Sequence, residues 1–401
     1  MSTAVPTHSK VWLKRGREKS LLRKHPWVFS GAIDRVEGEP KPGDTVEIVD
    51  SGGAFLALAA YSPASQIRAR VWSFEPEEGV DAAFLRRRLE RAIDSRRQLG
   101  LLGADAACRL VFAESDGLPG LVVDRYADFV VCQFLSAGAE HWREEVADLL
   151  AELTGARGVY ERSEASARRK EGLASQRGLL RGEAPPAEIE VRMGATNWLI
   201  DVANGQKTGA YLDQQRNRAR VAELAAGAEM LDAFAYTGGF AITALVGGAS
   251  AATLVESSTE ALRTAEREAA ANGVADRCRL VAASVFDELR VLRDDGRRYD
   301  LVVLDPPKFV HSVEQVSAGC RGYKDVNMLG LELVRPGGLL ATFSCSGHVD
   351  AALFQKIVAG AALDAGRDAQ ILERLSQPPD HPIAIEFPEA EYLKGLILRV
   401  H

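Results

Sequence analysis

The sequence predicts an α/β protein in three parts: a small all-β unit at residues 1–75, an α+β unit at 76–187, and a mostly parallel sheet flanked by helices at 188–401. Two patterns carry this reading. In the last part, short apolar runs alternate with longer helical segments, as strands joined by crossover helices do. In the first, short runs recur between Gly- and Pro-rich turns at the spacing of a compact barrel or sandwich. A chain of 401 residues also exceeds one ordinary core, so several domains are expected.

In the first unit, the runs 45–49, 54–60 and 67–72 are separated by Pro42-Gly43-Asp44, Ser51-Gly52-Gly53 and Ser62-Pro63. Between Lys10 and Lys24, seven cations (Lys10, Lys14, Arg15, Arg17, Lys19, Arg23 and Lys24) face the single acid Glu18. The net charge of −7 argues against a nucleic-acid partner, but a local basic patch makes a phosphate footprint whatever the whole-chain charge. His25-Pro26-Trp27-Val28-Phe29 sets aromatics beside that patch, a combination that suits RNA. Taken alone, Trp27 and Phe29 read more readily as core residues than as base-stacking platforms.

The second unit opens with a helix at 82–99, followed by strands at 110–113, 121–124 and 129–134, a helix at 141–153 and a linker at 182–186. Two Arg-rich clusters, Arg86, Arg87, Arg88, Arg91, Arg96 and Arg97, then Arg168, Arg169 and Lys170, read as phosphate contacts or as solvated faces. No catalytic constellation is visible here, so scaffolding or RNA contact is the default role.

The third unit begins with a hairpin, 189–193 and 197–202, turning at Gly194-Ala195. Strand-like runs follow at 230–235, 252–255, 279–283, 299–304 and 339–343, with a helix at 258–272 among the intervening segments and a last strand at 392–400. Cys108, Cys132, Cys278, Cys320 and Cys345 are scattered, as expected of reduced thiols in a cytoplasmic protein. Residues 1–10 lack the apolar core of a leader, and no apolar run approaches membrane-spanning length.

Two places in this unit carry chemistry. After the first strand comes Asp232-Ala233-Phe234-Ala235-Tyr236-Thr237-Gly238-Gly239-Phe240, a glycine turn leading into an apolar helix. Glycines let a ligand approach the backbone, and the helix start presents free N–H groups. The turn lacks G-x-G-x-x-G, so a dinucleotide is poorly supported. Glu256, ending the next strand, is placed to accept both hydroxyls of a ribose. An adenosyl ligand without a diphosphate fits, and S-adenosylmethionine is the candidate. Upstream, Gln206-Lys207-Thr208 is similar to the end of a phosphate-binding loop, but Asp201 and Gln206 stand where that motif needs glycines. Tyr211, Asp213 and Gln214 are candidates to line the cofactor site from the side.

The second place is Asp305-Pro306-Pro307-Lys308 with Ser344-Cys345-Ser346, each directly after an apolar strand. In an open α/β sheet, ligands bind outside the carboxyl ends of the strands. The prolines stiffen the loop and remove competing N–H donors, which suits a planar base, while Cys345 supplies a nucleophile. Together the motifs suggest covalent attack on a nucleobase.

Longer segments carry a resemblance: GREKSLL from Gly16, HPWVFSG from His25, SPASQIRARV from Ser62, ESDGLPG from Glu114, TGAYLDQ from Thr208, YTGGF from Tyr236, DPPKFV from Asp305, CRGYKD from Cys320 and TFSCSG from Thr342. With these the chain resembles, from end to end, the bacterial large-subunit rRNA methyltransferase I family, which makes 5-methylcytosine in 23S rRNA. The resemblance implies an N-terminal PUA RNA-binding domain at 1–75, a central α+β domain at 76–187, a Rossmann-like class I methyltransferase domain at 188–401, and a homodimer. It implies RNA contacts from Lys14, Arg15, Arg17, Lys19, Arg23, Lys24 and Trp27. It also implies an S-adenosylmethionine site of Asp232, Phe234, Tyr236, Thr237, Gly238, Gly239, Glu256, Ser284, Asp305, Tyr211 and Gln214. One departure stands out: Ala283-Ser284 occupies the place of the family's usual acid toward adenine, leaving Ser284 or a backbone group to serve.

On this reading the Cys345 thiolate adds to C6 of a cytosine and makes C5 nucleophilic, Asp305 holds the base edge, and Lys308 assists or contacts a phosphate. The base must leave any stack to be reached. Cys320 is the rival thiol, and His311 and His348 have no assigned role. Two other readings stay open: direct attack by a base nitrogen, which needs no thiol, and a non-catalytic RNA-binding protein.

Overall fold

The computed structural model describes residues 9–205 and 208–401; residues 1–8, read above for a leader, and Gln206 and Lys207 of the rejected phosphate loop lie outside the described residues. The chain folds into two compact units. One comprises the chain up to Val191 together with Ile200–Leu212 and Pro379–Ala390; the other comprises Arg192–Leu199, Asp213–Pro378 and Glu391–His401.

The first unit contains two sheets. A six-stranded sheet runs in the order Trp27–Phe29, Ile67–Ser73, Phe55–Tyr61, Thr45–Val49, Lys10–Leu13, Ile33–Glu37. Its pairs are antiparallel except Lys10–Leu13 with Thr45–Val49, which are parallel. Side chains alternate across a strand, so Val11, Leu13, Val46, Ile48, Ala57 and Ala59 point into one core. A five-stranded sheet follows, in the order Gln176–Gly182, Gly158–Ser163, Phe129–Phe134, Leu121–Tyr126, Ala107–Phe112. Helices Ala82–Gln98 and Arg143–Thr154 pack on it through Phe84, Leu85, Leu89, Val146 and Leu150. Asp81 starts the first of these helices by accepting from the N–H of Phe84 at 2.8 Å.

The Arg-rich clusters of this unit are largely neutralised within it. Arg86 pairs with Glu152, and Arg87 and Arg88 with Glu78. Arg96 is fully buried and donates to both carboxylate oxygens of Asp116, at 2.7 and 2.9 Å. Arg168 is likewise buried, against Glu140 and the carbonyl oxygen of Phe134. The expectation of a phosphate footprint is therefore corrected at Arg96 and Arg168, whose guanidinium groups are turned inward onto an acid.

The second unit is built on a seven-stranded sheet of β1 (Glu229–Ala233), β2 (Ala251–Glu256), β3 (Cys278–Ala282), β4 (Tyr299–Leu304), β5 (Val334–Ser344), β6 (Ala369–Leu375) and β7 (Lys394–Val400). Their spatial order is β3-β2-β1-β4-β5-β7-β6. The first five run parallel, and β7 is inserted antiparallel to both β5 and β6. Helices α1 (Gly239–Val246), α2 (Thr259–Ala271), α3 (Val285–Asp294), α4 (Val316–Leu333) and α5 (Ala351–Asp364) supply the crossovers. A strand covered on both faces becomes apolar throughout, as in Leu301-Val302-Val303-Leu304, none more than 1% exposed. The order reverses between β1 and β4, so the loops ending these strands border the crevice where ligands of such sheets bind. Among the described residues, no helix is long and apolar enough to cross a membrane.

Candidate active site

The loop after β1 has unusual backbone. Phe234 and Tyr236 have positive φ, 64° and 50°, although both carry side chains. Residues held in this sparsely populated region mark places where surroundings over-determine the chain, often at ligand sites. Gly238 follows with φ 80°; a Cβ there would come within 2.9 Å of a Leu254 methyl, so only glycine fits. The turn leads into α1, starting at Gly239.

Three carboxylates gather at this end of the sheet. Asp232, 1% exposed, accepts from the N–H of Ala241 at 3.0 Å through one oxygen, while its other oxygen is buried without a hydrogen-bond partner. Burial pushes its carboxyl up to about 7; the negative charges of Asp305 and Glu256 push the same way, and the Ala241 N–H and Arg218 oppose them. Glu256 ends β2 and accepts from the N–H groups of Tyr236 at 3.0 Å and Ser258 at 2.9 Å. Asp305 follows β4 and accepts from the amide of Gln214 at 2.9 Å; the Gln214 oxygen accepts in turn from Asn217 at 2.7 Å. An orphaned buried carboxylate oxygen amid two further acids suits a ligand that brings positive charge, as a sulfonium and an ammonium do.

Ser284, beyond β3, is exposed and makes no capping bond to α3. Beside it Phe286 forms an aromatic trio with Phe234 and Phe309, with ring centroids 6.0 to 6.3 Å apart. Sequence reasoning passed over Phe286, although an aromatic two residues past the missing acid was a signal. Thr237 is half-buried in the β1 loop. Tyr211 belongs to the first unit, on a segment anchored there by Thr208, whose hydroxyl donates to Asp124 at 2.6 Å.

The reactive loops of β4 and β5 are tied together. Leu304 pairs with Thr342 in the parallel register, so Asp305 and Cys345 follow the ends of neighbouring strands. The N–H of Val310, in the DPPKFV loop, donates to the Ser346 hydroxyl at 3.3 Å. That hydroxyl also bonds the Tyr323 hydroxyl at 2.9 Å. Cys345 is half-buried between Ser344 and Ser346, both fully buried; Lys308 is exposed. Tyr323 comes from α4, within the CRGYKD segment, and burial pushes its phenol upward. Cys320, on the same helix, packs against the apolar core of the unit, which raises its thiol. Lys394, at the start of β7, also converges on this loop: its ammonium donates to the carbonyl oxygens of Ser346 at 2.8 Å and Tyr392 at 2.7 Å. No group of acids, histidines and cysteines among the described residues could hold a metal ion.

In the first unit, Lys14, Arg15, Arg17, Lys19, Arg23 and Lys24 are all exposed. Lys24 lies over the Phe74 ring at 4.6 Å. Trp27 is half-buried; its indole N–H donates to Glu114 at 2.8 Å and its ring meets Phe387 edge-on at 4.7 Å.

Comparison with known proteins agrees with this layout. A family model of a PUA-like domain matches residues 11–74, and one of an S-adenosylmethionine-dependent methyltransferase matches residues 176–399. Proteins named ribosomal RNA large subunit methyltransferase I are 51% identical over 97% of this chain and 98% of their own in Aeromonas salmonicida, and 52% identical over 98% and 99% in Aeromonas hydrophila. The Escherichia coli protein of that name is 47% identical over 98% of this chain and 99% of its own. A solved SAM-dependent methyltransferase structure from Streptococcus mutans superposes with a TM-score of 0.83 over 97% of this chain and 99% of its own; at 22% identity it speaks for the fold alone.

Proposed function

Since the chain belongs to the ribosomal RNA large subunit methyltransferase I family, whose members are S-adenosylmethionine-dependent methyltransferases, we propose that it methylates C5 of a cytosine in 23S rRNA through a covalent bond from Cys345. The observation that carries the proposal is the linkage of the Asp305 and Cys345 loops, which follow adjacent strands and are joined by the Val310–Ser346 hydrogen bond. A base held by one loop meets a thiol on the other.

Asp232, Phe234, Tyr236, Thr237, Gly238, Gly239 and Glu256 hold the cofactor in this reading, with Gln214, Asp305 and Ser284 at its margins. Bound there, S-adenosylmethionine supplies a methyl group on a sulfonium, an electrophile that an enamine carbon attacks. The Cys345 thiolate makes that carbon: its Sγ bonds C6, and the C5–C6 π pair moves onto C5. Asp305, oriented by Gln214, hydrogen-bonds the base edge near N3 and the exocyclic amine, easing the charge that develops on addition. Once C5 carries the methyl group, it gives up its proton, the Sγ–C6 bond breaks and the ring regains its double bond. Lys308, exposed beside Asp305, contacts a phosphate or assists at the base.

The exposed cations Lys14, Arg15, Arg17, Lys19, Arg23 and Lys24, with Trp27, form the RNA-holding face of residues 1–75, residues 76–187 form the scaffold, and residues 188–401 carry the chemistry. A cytoplasmic homodimer completes the proposal, and sedimentation of the purified protein checks its stoichiometry. The central test is methyl transfer from labelled S-adenosylmethionine to 23S rRNA lacking its native modifications, with nucleoside mass spectrometry as the readout. 5-Methylcytosine from the native enzyme and none from Cys345→Ala is the expected result. Undiminished product from the variant, or a methylated nitrogen, overturns it.

A further inference from the structure

We propose that Lys394 is a positioning residue that holds Cys345 as its thiolate, an inference that rests on Cys345 being the nucleophile. The geometry begins with β7. Its antiparallel insertion beside β5 pairs Lys394 with Ser344, so the residue opposite the last position of β5 is a lysine, and Cys345 comes next. The side chain is 7% exposed and turns into the Ser344-Cys345-Ser346 loop, where its ammonium bonds the Ser346 and Tyr392 carbonyl oxygens. An ammonium has three donors, and two are engaged, one of them on the carbonyl oxygen of the residue that follows the thiol.

Carbonyl oxygens satisfy hydrogen bonds, but they do not neutralise a buried charge. Among the groups facing this ammonium, Lys308 in the Asp305 loop is itself a cation, while Glu391 before β7, Asp350 at the start of α5 and the Cys345 thiolate are anionic. Tyr323 of α4 faces Cys345 and is pushed upward by its burial, so it supplies no competing negative charge at neutral pH. Burial holds the Lys394 ammonium down at about 8, and negative charge on Cys345, Glu391 or Asp350 pushes it back up. The relation is reciprocal: a cation that gains from the thiolate favours the thiolate over the thiol. A lysine kept only for packing needs no such orientation, because its stem alone covers apolar surface.

The test is the pH dependence of Cys345 alkylation by iodoacetamide, read peptide by peptide by mass spectrometry, in the native protein, Lys394→Gln and Lys394→Arg. Glutamine keeps a donor for the carbonyls and removes the charge; arginine keeps the charge. Expected is a native half-reaction pH below that of an ordinary thiol, a rise of about 1 to 3 pH units in Lys394→Gln, and substantial restoration in Lys394→Arg. Methyl transfer by Lys394→Gln falls at neutral pH and recovers as pH rises. An unshifted profile in a Lys394→Gln protein that still unfolds cooperatively and binds S-adenosylmethionine overturns the proposal. So does a native half-reaction pH at the ordinary thiol value of about 8.5, which needs no variant to fold. Failure of the premise looks different, since Cys345→Ala would then keep forming 5-methylcytosine whatever the alkylation profile shows.

Discussion

In the cofactor site proposed above, Asp232 should make binding depend on pH, with a sign and size that follow from its burial. In the cofactor-free protein its carboxyl is pushed up to about 7, from an ordinary 3.8. The folded chain therefore holds this proton more tightly than the unfolded chain does. The associated stability is present below about 3.8, and it is lost as pH rises toward about 7. The full span is on the order of 4 kcal/mol, so stability of the cofactor-free protein falls across the weakly acidic range. A ligand bearing a sulfonium and an ammonium reverses the preference, because it is attracted by the ionised acid. At pH 6 about a tenth of such a group is ionised, and at pH 8 about nine tenths. The dissociation constant for S-adenosylmethionine should accordingly be about tenfold larger at pH 6 than at pH 8, and binding near pH 7 should release about half a proton per site. Isothermal calorimetry in two buffers of different ionisation enthalpy measures both. Asp232→Asn, which keeps an oxygen for the Ala241 N–H, should flatten the profile and abolish the proton release. A native profile already flat between pH 6 and 8, with heats independent of buffer, refutes the reasoning.

Gln214→Leu removes the amide that orients Asp305; a hydrogen bond to a charged group contributes about 1.5–3 kcal/mol, so kcat/KM for rRNA methylation should fall roughly 10- to 150-fold. Arg96→Met strands the Asp116 carboxylate and should destabilise the fold by about 3–5 kcal/mol in denaturant unfolding. Phe286→Ala removes one ring of the aromatic trio and should weaken S-adenosylmethionine binding about tenfold, whereas Ser284→Ala should change it less than about twofold. Replacing both Arg15 and Arg17 by glutamine should lower the slope of log affinity for single-stranded RNA against log salt by about 1.4, with little change in the temperature of unfolding.

How much of the fold was legible depended on burial. The runs that became β1, β2, β4 and β5 are covered on both faces and read as apolar segments, so their positions were found to within a few residues. Two edge strands escaped, although β3, also at an edge, was found. Ile33–Glu37 and β6 have mostly exposed or half-exposed side chains, and nothing in IDRVE or AQILERL distinguishes a strand from a loop without its neighbour. Lys10–Leu13 was hidden for another reason: the density of cations around it drew attention to charge, although Val11 and Leu13 are core residues. The two-sheet layout of the first unit was legible only in part, since Gly158–Ser163 and Gln176–Gly182 flank the Arg-rich segment that was read as surface.

The candidate site divides along a similar line, between what chain order arranges and what topology arranges. Asp305 stands directly after β4, Glu256 is the last residue of β2 and Asp232 the last but one of β1, so once the strands were read their convergence at one end of a parallel sheet followed. Lys394 and Tyr323 had no such route. One opens the last strand with nothing that marks it, and the other lies on α4; each reaches the Cys345 loop only because β7 is inserted antiparallel beside β5 and α4 packs beneath the same strand ends. A lysine at the mouth of an apolar strand is normally a charge left at the surface, and its burial is knowable only once the strand opposite it is known. The same holds for adenine recognition. Attention fixed on the acid missing at Ser284, whereas the rings of Phe234, Phe286 and Phe309, from two loops and the start of α3, meet only after folding. An adenine is an aromatic face as well as a set of polar edges, so a site can lose an edge contact and keep its ligand by stacking, which makes a substitution at Ser284 a weaker argument against cofactor binding than the sequence alone suggests.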